Sequence, residues 1–209
     1  GGPDARTAGR GPRLPRSARR AQLLAAAQEV FVAEGYHAAG MDEIADHAGV
    51  SKPVLYQHFP GKLELYLALL DQHADDLVAK VRGALASTTD NRQRVVASVT
   101  AYFDFLDGGG TERAGARLVF ESDLKSEPAV RERVERMAHE CVQAIADTIT
   151  ADTGYREEEA LLLSVGLAGL AEVGARWWLG ARDRLGKERA VELLVGLAWR
   201  GISAAPLTP

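Results

Sequence analysis

The stretch from Met41 to Phe59 constrains the fold more than any other part of the chain, because it places a turn signal between two short apolar stripes. The first stripe lies on one face of a helix about two turns long. It consists of Ile44, Ala45 and Ala48. Gly49 suits the end of that helix, since glycine adopts the left-handed conformation without a steric penalty. Ser51 is a favourable N-cap for a second helix, and Pro53 is tolerated in its first turn.

The second helix, residues 51–59, has the size and surface of a helix that enters a DNA groove. It is about 12 Å long, which matches a major groove about 12 Å wide. Leu55 and Phe59 lie one turn apart and are expected to point into the domain. The opposite face carries hydrogen-bond donors and small apolar groups from Lys52, Pro53, Val54, Tyr56 and Gln57. The pattern predicts a helix-turn-helix; the alternative, an ordinary pair of packed helices, would more often expose mixed charge.

The charge of the chain is unevenly distributed. The formal net charge is −4, which argues against a general polyanion binder. Residues 1–62 hold eight Lys or Arg and six Asp or Glu, whereas residues 63–209 hold 17 and 23. The N-terminal part is therefore the expected nucleic-acid face.

Other classes of protein find little support in the sequence. There is no phosphate loop, no metal-ligand spacing and no nucleophile elbow, so neither an enzyme nor a bound cofactor or metal is expected. The single cysteine, Cys141, excludes an internal disulfide and fits a cytoplasmic protein. No long apolar run or signal-peptide pattern is evident, so no membrane segment is expected.

The N-terminal region is predicted to comprise an arm and a small domain. Residues 1–16 are rich in Gly, Pro and Arg and are expected to be a disordered basic arm. Its arginines, together with Arg19 and Arg20, are candidates for contacts with phosphates or a narrow minor groove; a solubilising tail is the alternative. Residues 17–62 would form a three-helix DNA-binding domain, whose first helix runs from Ser17 to Glu34.

The segment from Ala21 to Leu70 resembles the DNA-binding domain of TetR-family transcriptional regulators. The matching residues are Gly35, Tyr36, Ile44, Ala45, Ala48–Ser51, Leu55, Tyr56, His58, Phe59 and Lys62. The resemblance implies that the helix-turn-helix reads DNA and that the helical remainder binds a small effector and dimerises. It also implies base-edge contacts from Lys52, Pro53, Val54 and Tyr56, and phosphate contacts from Gln57, His58 and Lys62.

Residues 63–209 are predicted to form a larger, six-helix domain for effector binding and dimerisation. One long helix begins at Lys62, and the next is expected to carry Val95 and Leu106 and to end at the triple glycine 108–110. Further helices are expected over Arg113–Leu124, from Pro128, over Leu161–Leu179 and over Glu188–Ile202. The last two are so apolar that a second copy of the chain is expected to cover them, with burial against the other helices as the alternative. The interface candidates are Trp177, Trp178, Leu194 and Trp199.

Bulky apolar side chains on the middle helices are candidates for an effector site. They are Leu77, Leu85, Tyr102, Phe103, Leu118, Phe120, Met137 and Cys141. The alternative is that most of them simply fill a core. The segments 35–44, 51–59, 89–94 and 103–105 resemble the FasR type of actinobacterial fatty-acid-synthesis regulators, which implies a long-chain acyl-coenzyme A as the effector that releases the protein from DNA.

The sequence thus predicts an all-α, homodimeric, ligand-responsive DNA-binding regulator of lipid metabolism that acts on a palindromic operator. A TetR-type repressor of an efflux or catabolic gene, responding to another apolar small molecule, is the nearest alternative. A helical lipid-binding or carrier protein is the alternative from a different class. The long fourth helix would transmit a tilt from the effector domain to the reading helix as a rigid body.

Overall fold

A computed structural model describes residues 14–108, 110–120, 124 and 126–201, without the side chains of residues 111, 112 and 120. These residues form two compact units, one ending at Leu65 and the other beginning at Tyr66. The expected basic arm, residues 1–16, falls mostly outside the described residues, and so do the Arg6, Arg10 and Arg13 side chains. The positive charge expected at the N-terminus therefore rests largely on residues that the structure does not describe.

The first unit contains three helices and the start of a fourth. The helices are α1 (Arg16–Glu34), α2 (Met41–Ala48), α3 (Lys52–His58) and α4 (Lys62–Ala86). The helices α1 and α2 pack together, and α2 also contacts α3. Their shared core is formed by Leu23, Ala27, Phe31, Ile44 and Leu55, which are at most 3 % exposed. The apolar stripes seen in the sequence therefore do form the inner faces of these helices.

The second unit contains the rest of α4 and five further helices. They are α5 (Asn91–Asp107), α6 (Thr111–Phe120), α7 (Pro128–Asp152), α8 (Glu157–Leu179) and α9 (Lys187–Arg200). The central helix is α5, which packs against α6, α8 and α9, while α8 also packs against α7 and α9. Asp90 caps α5 by accepting a hydrogen bond from the Gln93 backbone N–H at 2.8 Å, which satisfies one of the unpaired amides at a helix start.

Two close helix approaches depend on glycine. A Cβ atom on Gly115 would lie 2.3 Å from Nδ1 of the buried His73, so α6 can approach α4 here only because residue 115 lacks a side chain. A Cβ on Gly174 would lie 2.5 Å from Cδ1 of Leu194, so α8 and α9 also approach each other closely at a position that lacks a side chain. The Tyr66 hydroxyl donates a hydrogen bond to the Leu118 carbonyl at 3.1 Å and joins α4 to α6.

The prediction of an all-α fold is confirmed: the described residues form nine helices. Most helix bounds differ from the predicted ones by only a few residues. The sixth helix is an exception, because it ends at Phe120 and Leu124 lies in a turn, whereas the sequence predicted helix up to Leu124. The predicted end of the last helix, Ile202, lies outside the described residues.

The helix α8 corrects one expectation from the sequence. By length and composition alone, α8 is long and apolar enough to cross a membrane, although no such run was expected. Within the second unit, however, α8 packs on three neighbouring helices through small side chains. Its inward residues are Ala160, Ser164, Ala168, Ala171, Ala175 and Trp178. The exposed faces of α8 carry five large apolar residues, which are Leu162, Leu163, Val165, Val173 and Trp177.

Candidate functional sites

The turn between α2 and α3 has the geometry that the sequence predicted. Gly49 adopts a left-handed conformation with φ +66°. Its N–H donates to the Asp46 carbonyl at 3.0 Å, and the Val50 N–H donates to the Ala45 carbonyl at 3.0 Å. These bonds satisfy carbonyls at the end of α2 and reverse the chain within two residues. Ser51 occupies the N-cap position of α3, but its side chain makes no capping hydrogen bond.

The inner side of α3 is held by apolar contacts. Leu55 is fully buried and Phe59 is 2 % exposed. The Arg20 guanidinium from α1 lies 4.4 Å from the centre of the Phe59 ring, a distance suited to a cation–π contact. Together these contacts fix the rotation of α3 about its axis, and so determine which side chains it exposes.

The outer side of α3 presents donors and apolar groups without a single carboxylate. Tyr56 is 42 % exposed although it is a large aromatic residue. Lys52, Pro53 and Gln57 are also exposed, and Val54 and His58 are half-buried. Lys52 forms an ion pair with Asp42 of α2, and the hydrogen bond to that carboxylate raises the pKa of the Lys52 ammonium. A ligand with a stronger negative charge would have to displace Asp42 to reach this ammonium.

Two side chains that were predicted to contact DNA phosphates, those of Lys62 and Arg19, form hydrogen bonds within the first unit. The Lys62 ammonium donates to the carbonyls of Tyr36, His37 and Ala39 at 2.8, 3.4 and 2.9 Å, and it lies 4.5 Å from the centre of the Tyr36 ring. It therefore stabilises the segment that connects α1 to α2. Arg19 donates to the Gln22 side chain at 2.8 Å, and Gln22 donates to the Ala48 carbonyl at 2.8 Å. Both side chains position the helix-turn-helix in this structure, a role that the sequence analysis did not assign to them.

In the second unit, an apolar cavity of about 50 Å³ lies among five helices. It brings together two of the predicted effector residues, Leu85 of α4 and Tyr102 of α5. The remaining lining comes from Val95, Ser98, Val99, Ile145, Leu167, Ala168, Leu170, Ala171 and Ala198. The sequence predicted that a second copy of the chain would cover α8, with burial against the other helices as the alternative, and these α8 residues follow the alternative.

The cavity carries one hydroxyl group that the sequence analysis missed. The Ser98 Oγ atom is buried and has no hydrogen-bond partner among the described residues. A buried hydroxyl without a partner costs free energy, so a ligand atom that pairs with it would be favoured. A serine within an amphipathic helix gives no sequence signal of its own.

Cys141 lies beside this cavity through its contact with Tyr102. The two side chains are hydrogen-bonded, and burial raises the pKa of the Cys141 thiol to about 11. Burial also raises the pKa of the Tyr102 phenol. Both groups therefore stay neutral at physiological pH, as an apolar site requires.

The other predicted effector residues do not line this cavity. Leu77, Phe103, Leu118 and Met137 are buried elsewhere in the second unit. Phe103, for example, packs on Trp178 with 5.1 Å between ring centres. The structure does not describe the Phe120 side chain. The buried positions of Leu77, Phe103, Leu118 and Met137 support a role in packing the core.

The four interface candidates divide into two groups. Trp177 is 67 % exposed and Trp199 is 48 % exposed, whereas Leu194 is half-buried against Gly174. Trp178 is only 3 % exposed, and its indole N–H donates to the Leu185 carbonyl at 2.7 Å. The expectation for Trp178 is therefore corrected: its ring belongs to the core of the protomer.

The pair α2 and α3, with its left-handed glycine, is a helix-turn-helix on a three-helix framework, which is the architecture of a DNA-binding protein. The model for "Bacterial regulatory proteins, tetR family" matches residues 23–69. The chain is 53% identical over 199 residues to the HTH-type transcriptional activator FasR of Mycolicibacterium smegmatis, covering 95% of this chain and 90% of that protein. The chain belongs to the tetR family of bacterial regulatory proteins and is a DNA-binding transcriptional regulator, not an enzyme.

Further comparisons agree with this family and fold. The chain is 36% identical to the transcriptional repressor KstR2 of Rhodococcus jostii over 53% of this chain and 52% of that protein. A TetR-like regulator from Rhodococcus sp. RHA1 superposes with a TM-score of 0.70 at 26% identity, covering 92% of this chain and all of that one. The fold also matches FadR from Bacillus subtilis, solved in complex with stearoyl-CoA, with a TM-score of 0.69 at 18% identity and coverage of 87% and 98%.

Proposed function

We propose that this regulator acts in the cytoplasm as a homodimer on a palindromic operator of lipid-metabolism genes, and that a long-chain acyl-CoA releases it from DNA. The observation that carries this proposal is the 53% identity with FasR over almost the whole chain. That similarity extends through the second unit, which is where an effector would bind. By the same similarity, the protein activates transcription when it is bound to its operator.

The exposed face of α3 is the proposed reading surface. Lys52, Pro53, Val54 and Tyr56 would contact base edges, with Gln57 and His58 on the phosphate side. The burial of Leu55 and Phe59 supports this assignment, because it turns the other side of the helix outward. Arg19 and Lys62 would approach the DNA backbone from positions in which they already stabilise the domain.

The proposed dimer interface is the exposed apolar surface of α8 and α9. It includes Leu162, Val165, Val173, Trp177, Leu193, Leu197 and Trp199, which are 45–74 % exposed. Gly166 and Gly169 lie on α8 as well, and a Cβ added at either would meet no atom within 4 Å. Such small residues would allow a helix of a second copy to approach closely. Two reading helices related by a two-fold axis favour a palindrome.

The proposed effector site is the apolar cavity around Tyr102 and Ser98. At about 50 Å³ it is far smaller than a long acyl chain, so binding must move the side chains around it. One of these is Leu85, near the end of the same helix α4 that begins in the DNA-binding unit. Displacement of α4 would change the spacing of the two reading helices and release DNA. Tenfold release requires about 1.4 kcal/mol of differential affinity.

A second candidate function is response to a small apolar inducer other than an acyl-CoA. The small size of the enclosed cavity favours this alternative, because a compact molecule would fit with less rearrangement. Mass spectrometry of ligand that remains bound through gentle purification would separate the two. We expect an acyl-CoA in the bound fraction; a compact apolar molecule in its place would favour the alternative.

Salt-dependent binding to an operator tests the proposed DNA function. The operator would be selected from fragments of the genome of the source organism and compared with a scrambled duplex of the same composition. We expect a palindromic site, two protomers per duplex and an affinity that falls steeply with salt. Equal affinity for both duplexes would instead favour a lipid carrier that only shares the fold.

A further inference from the structure

The ion pair between Lys52 and Asp42 brings a carboxylate to the edge of the reading surface. Lys52 is the first residue of α3, and Asp42 lies in the first turn of α2. Both side chains are exposed. The seven residues of α3 include no acidic side chain, so this carboxylate comes to the surface from the neighbouring helix. Because like charges repel, a carboxylate beside a DNA-binding surface opposes the approach of phosphates.

Helix stability alone does not require a carboxylate at position 42. An ion pair between two exposed side chains adds little to stability. Negative charge is favourable at the N-terminal end of a helix, but Glu43 in the same turn of α2 supplies it as well. The effect that belongs to Asp42 itself is the position of the Lys52 ammonium.

The Lys52 ammonium keeps N–H donors that the Lys62 ammonium has already used. An ammonium group has three N–H donors. Lys62 donates to three backbone carbonyls. Among the described residues, the partner of Lys52 is the Asp42 carboxylate. Two donors of Lys52 therefore stay available to DNA while the ion pair is intact.

The ammonium is held close to another residue of the reading surface. The hydrogen bond to Asp42 is the main cause that raises the pKa of Lys52, and an electrostatic interaction with Tyr56 raises it as well. Tyr56 lies one turn further along α3 and is exposed. The carboxylate thus fixes the ammonium beside the aromatic side chain that is proposed to contact base edges.

A lysine contributes differently to DNA binding at phosphates and at bases. A phosphate contact is independent of sequence and strongly dependent on salt. A contact with the O6 or N7 atom of guanine carries sequence information. A neighbouring carboxylate offsets the positive charge and repels phosphates, but it leaves two directional N–H donors. It therefore weakens the first kind of contact more than the second.

We propose that Asp42 is a positioning residue that increases sequence specificity, because it holds the Lys52 ammonium towards base edges and away from the phosphate backbone. This inference rests on the proposed function, since it concerns the same reading surface. Asp42 lowers the affinity for DNA outside the operator more than the affinity for the operator itself. Repulsive elements of this kind raise specificity by weakening the wrong complex.

Fluorescence anisotropy of the full chain with the operator and with a scrambled duplex, over a range of salt concentrations, tests this inference. The variants are Asp42→Asn, Asp42→Glu, Lys52→Met and the combination of Asp42→Asn with Lys52→Met. The matched control is Asp46→Asn, which removes the same charge from an exposed residue one turn further along α2. Circular dichroism would verify that each variant is folded.

We expect Asp42→Asn to raise the affinity for the scrambled duplex about tenfold, as one additional ionic contact per protomer should. The salt dependence should steepen by about 0.9 in the logarithmic slope for each phosphate that Lys52 newly contacts. Operator affinity should change much less, so the ratio of the two affinities falls. Asp42→Glu keeps the carboxylate and should behave like wild type. In the Lys52→Met background, Asp42→Asn should have no larger effect than Asp46→Asn.

The contradicting results separate this inference from the proposed function. If Asp42→Asn and Asp46→Asn raise the affinity for the scrambled duplex equally, Asp42 acts only as a general negative charge, and the inference is wrong while operator binding stands. The same conclusion follows if Asp42→Asn has an equal effect with and without Lys52. If the wild-type protein does not distinguish the operator from the scrambled duplex, the proposed function is wrong and this inference with it.

Discussion

The helices α3 and α8 both leave a large part of their surface exposed, but with opposite chemistry. α3 buries one apolar residue, Leu55, and exposes Lys52, Tyr56 and Gln57. α8 buries mainly alanines and exposes Leu162, Val165, Val173 and Trp177. In a helix that faces water on one side, the larger apolar residues would be expected inside.

The chemistry that each helix exposes indicates the kind of partner that it can bind. Donors with few carboxylates suit the negatively charged backbone and base edges of DNA. Exposed leucine, valine and tryptophan on adjacent turns suit another protein surface, because their burial removes apolar area from water. Two exposed helices in one chain therefore predict two different kinds of partner.

A charge on the apolar face of α8 should have the largest effect. Val173 is 56 % exposed in the protomer, so Val173→Glu should fold normally. In a dimer, the glutamate would be buried without a partner on both copies, which costs roughly 3–5 kcal/mol. We expect a monomer at micromolar concentration by light scattering, and a large loss of operator affinity.

Tyr155→Glu is the matched control, since Tyr155 is a similarly exposed apolar residue, 51 % exposed, outside the helices. It should remain dimeric. A dimeric Val173→Glu variant would show that the exposed face of α8 is not the interface.

Substitutions on α3 should have an intermediate effect. Tyr56→Ala should reduce specific operator binding by about 1–3 kcal/mol, because one base-edge contact is lost. Binding to a scrambled duplex should hardly change, since Tyr56 carries no charge. Fluorescence anisotropy with both duplexes measures the two effects. An equal loss for both sequences would mean that Tyr56 does not read bases.

Lys62 separates stability from DNA binding. Its ammonium contacts three backbone carbonyls, so Lys62→Met should lower the free energy of unfolding by about 1–2 kcal/mol. Lys52→Met removes an exposed lysine that is paired with Asp42 and should cost much less. Urea denaturation compares the two. If Lys62→Met were as stable as wild type but bound all DNA more weakly, Lys62 would act mainly at phosphates.

The buried pair of Cys141 and Tyr102 predicts a small dependence of stability on pH. The thiol titrates near 9.0 when unfolded and at about 11 when folded. Between these values the unfolded state has released its proton while the folded state keeps it, so stability should fall as pH rises from 9 to 11. The Tyr102 pKa, which burial raises, acts in the same direction. Cys141→Ser should flatten this dependence in urea denaturation; an unchanged slope would contradict it.

The fold of the first unit could be predicted because its signals are local. Gly49 ends α2, and the periodicity of Ile44 and Ala48 predicts the buried face, all within a few residues of one another. The role of Lys62 could not be predicted, since the carbonyls that it contacts lie more than twenty residues away in sequence. The exposed, polar face of α3 follows directly from the burial of Leu55.

The second unit was harder to predict for a physical reason. Adjacent residues of a helix point about 100° apart, so Trp177 and Trp178 cannot both face the same partner. Nothing in the local sequence indicates which of the two side chains is buried in the core. Ser98 gives no sequence signal either, because its importance depends on the absence of a partner in the folded state. Long-range packing determines both.

We propose above all that an acyl chain bound in the second unit controls DNA binding by the first. The most direct test is to titrate acyl-CoAs of increasing chain length into the protein–operator complex and to follow release by fluorescence anisotropy. Burial contributes about 0.8 kcal/mol per methylene, so the concentration needed for release should fall steeply as the chain lengthens. Release that does not depend on chain length, or no release by any acyl-CoA, would contradict the claim.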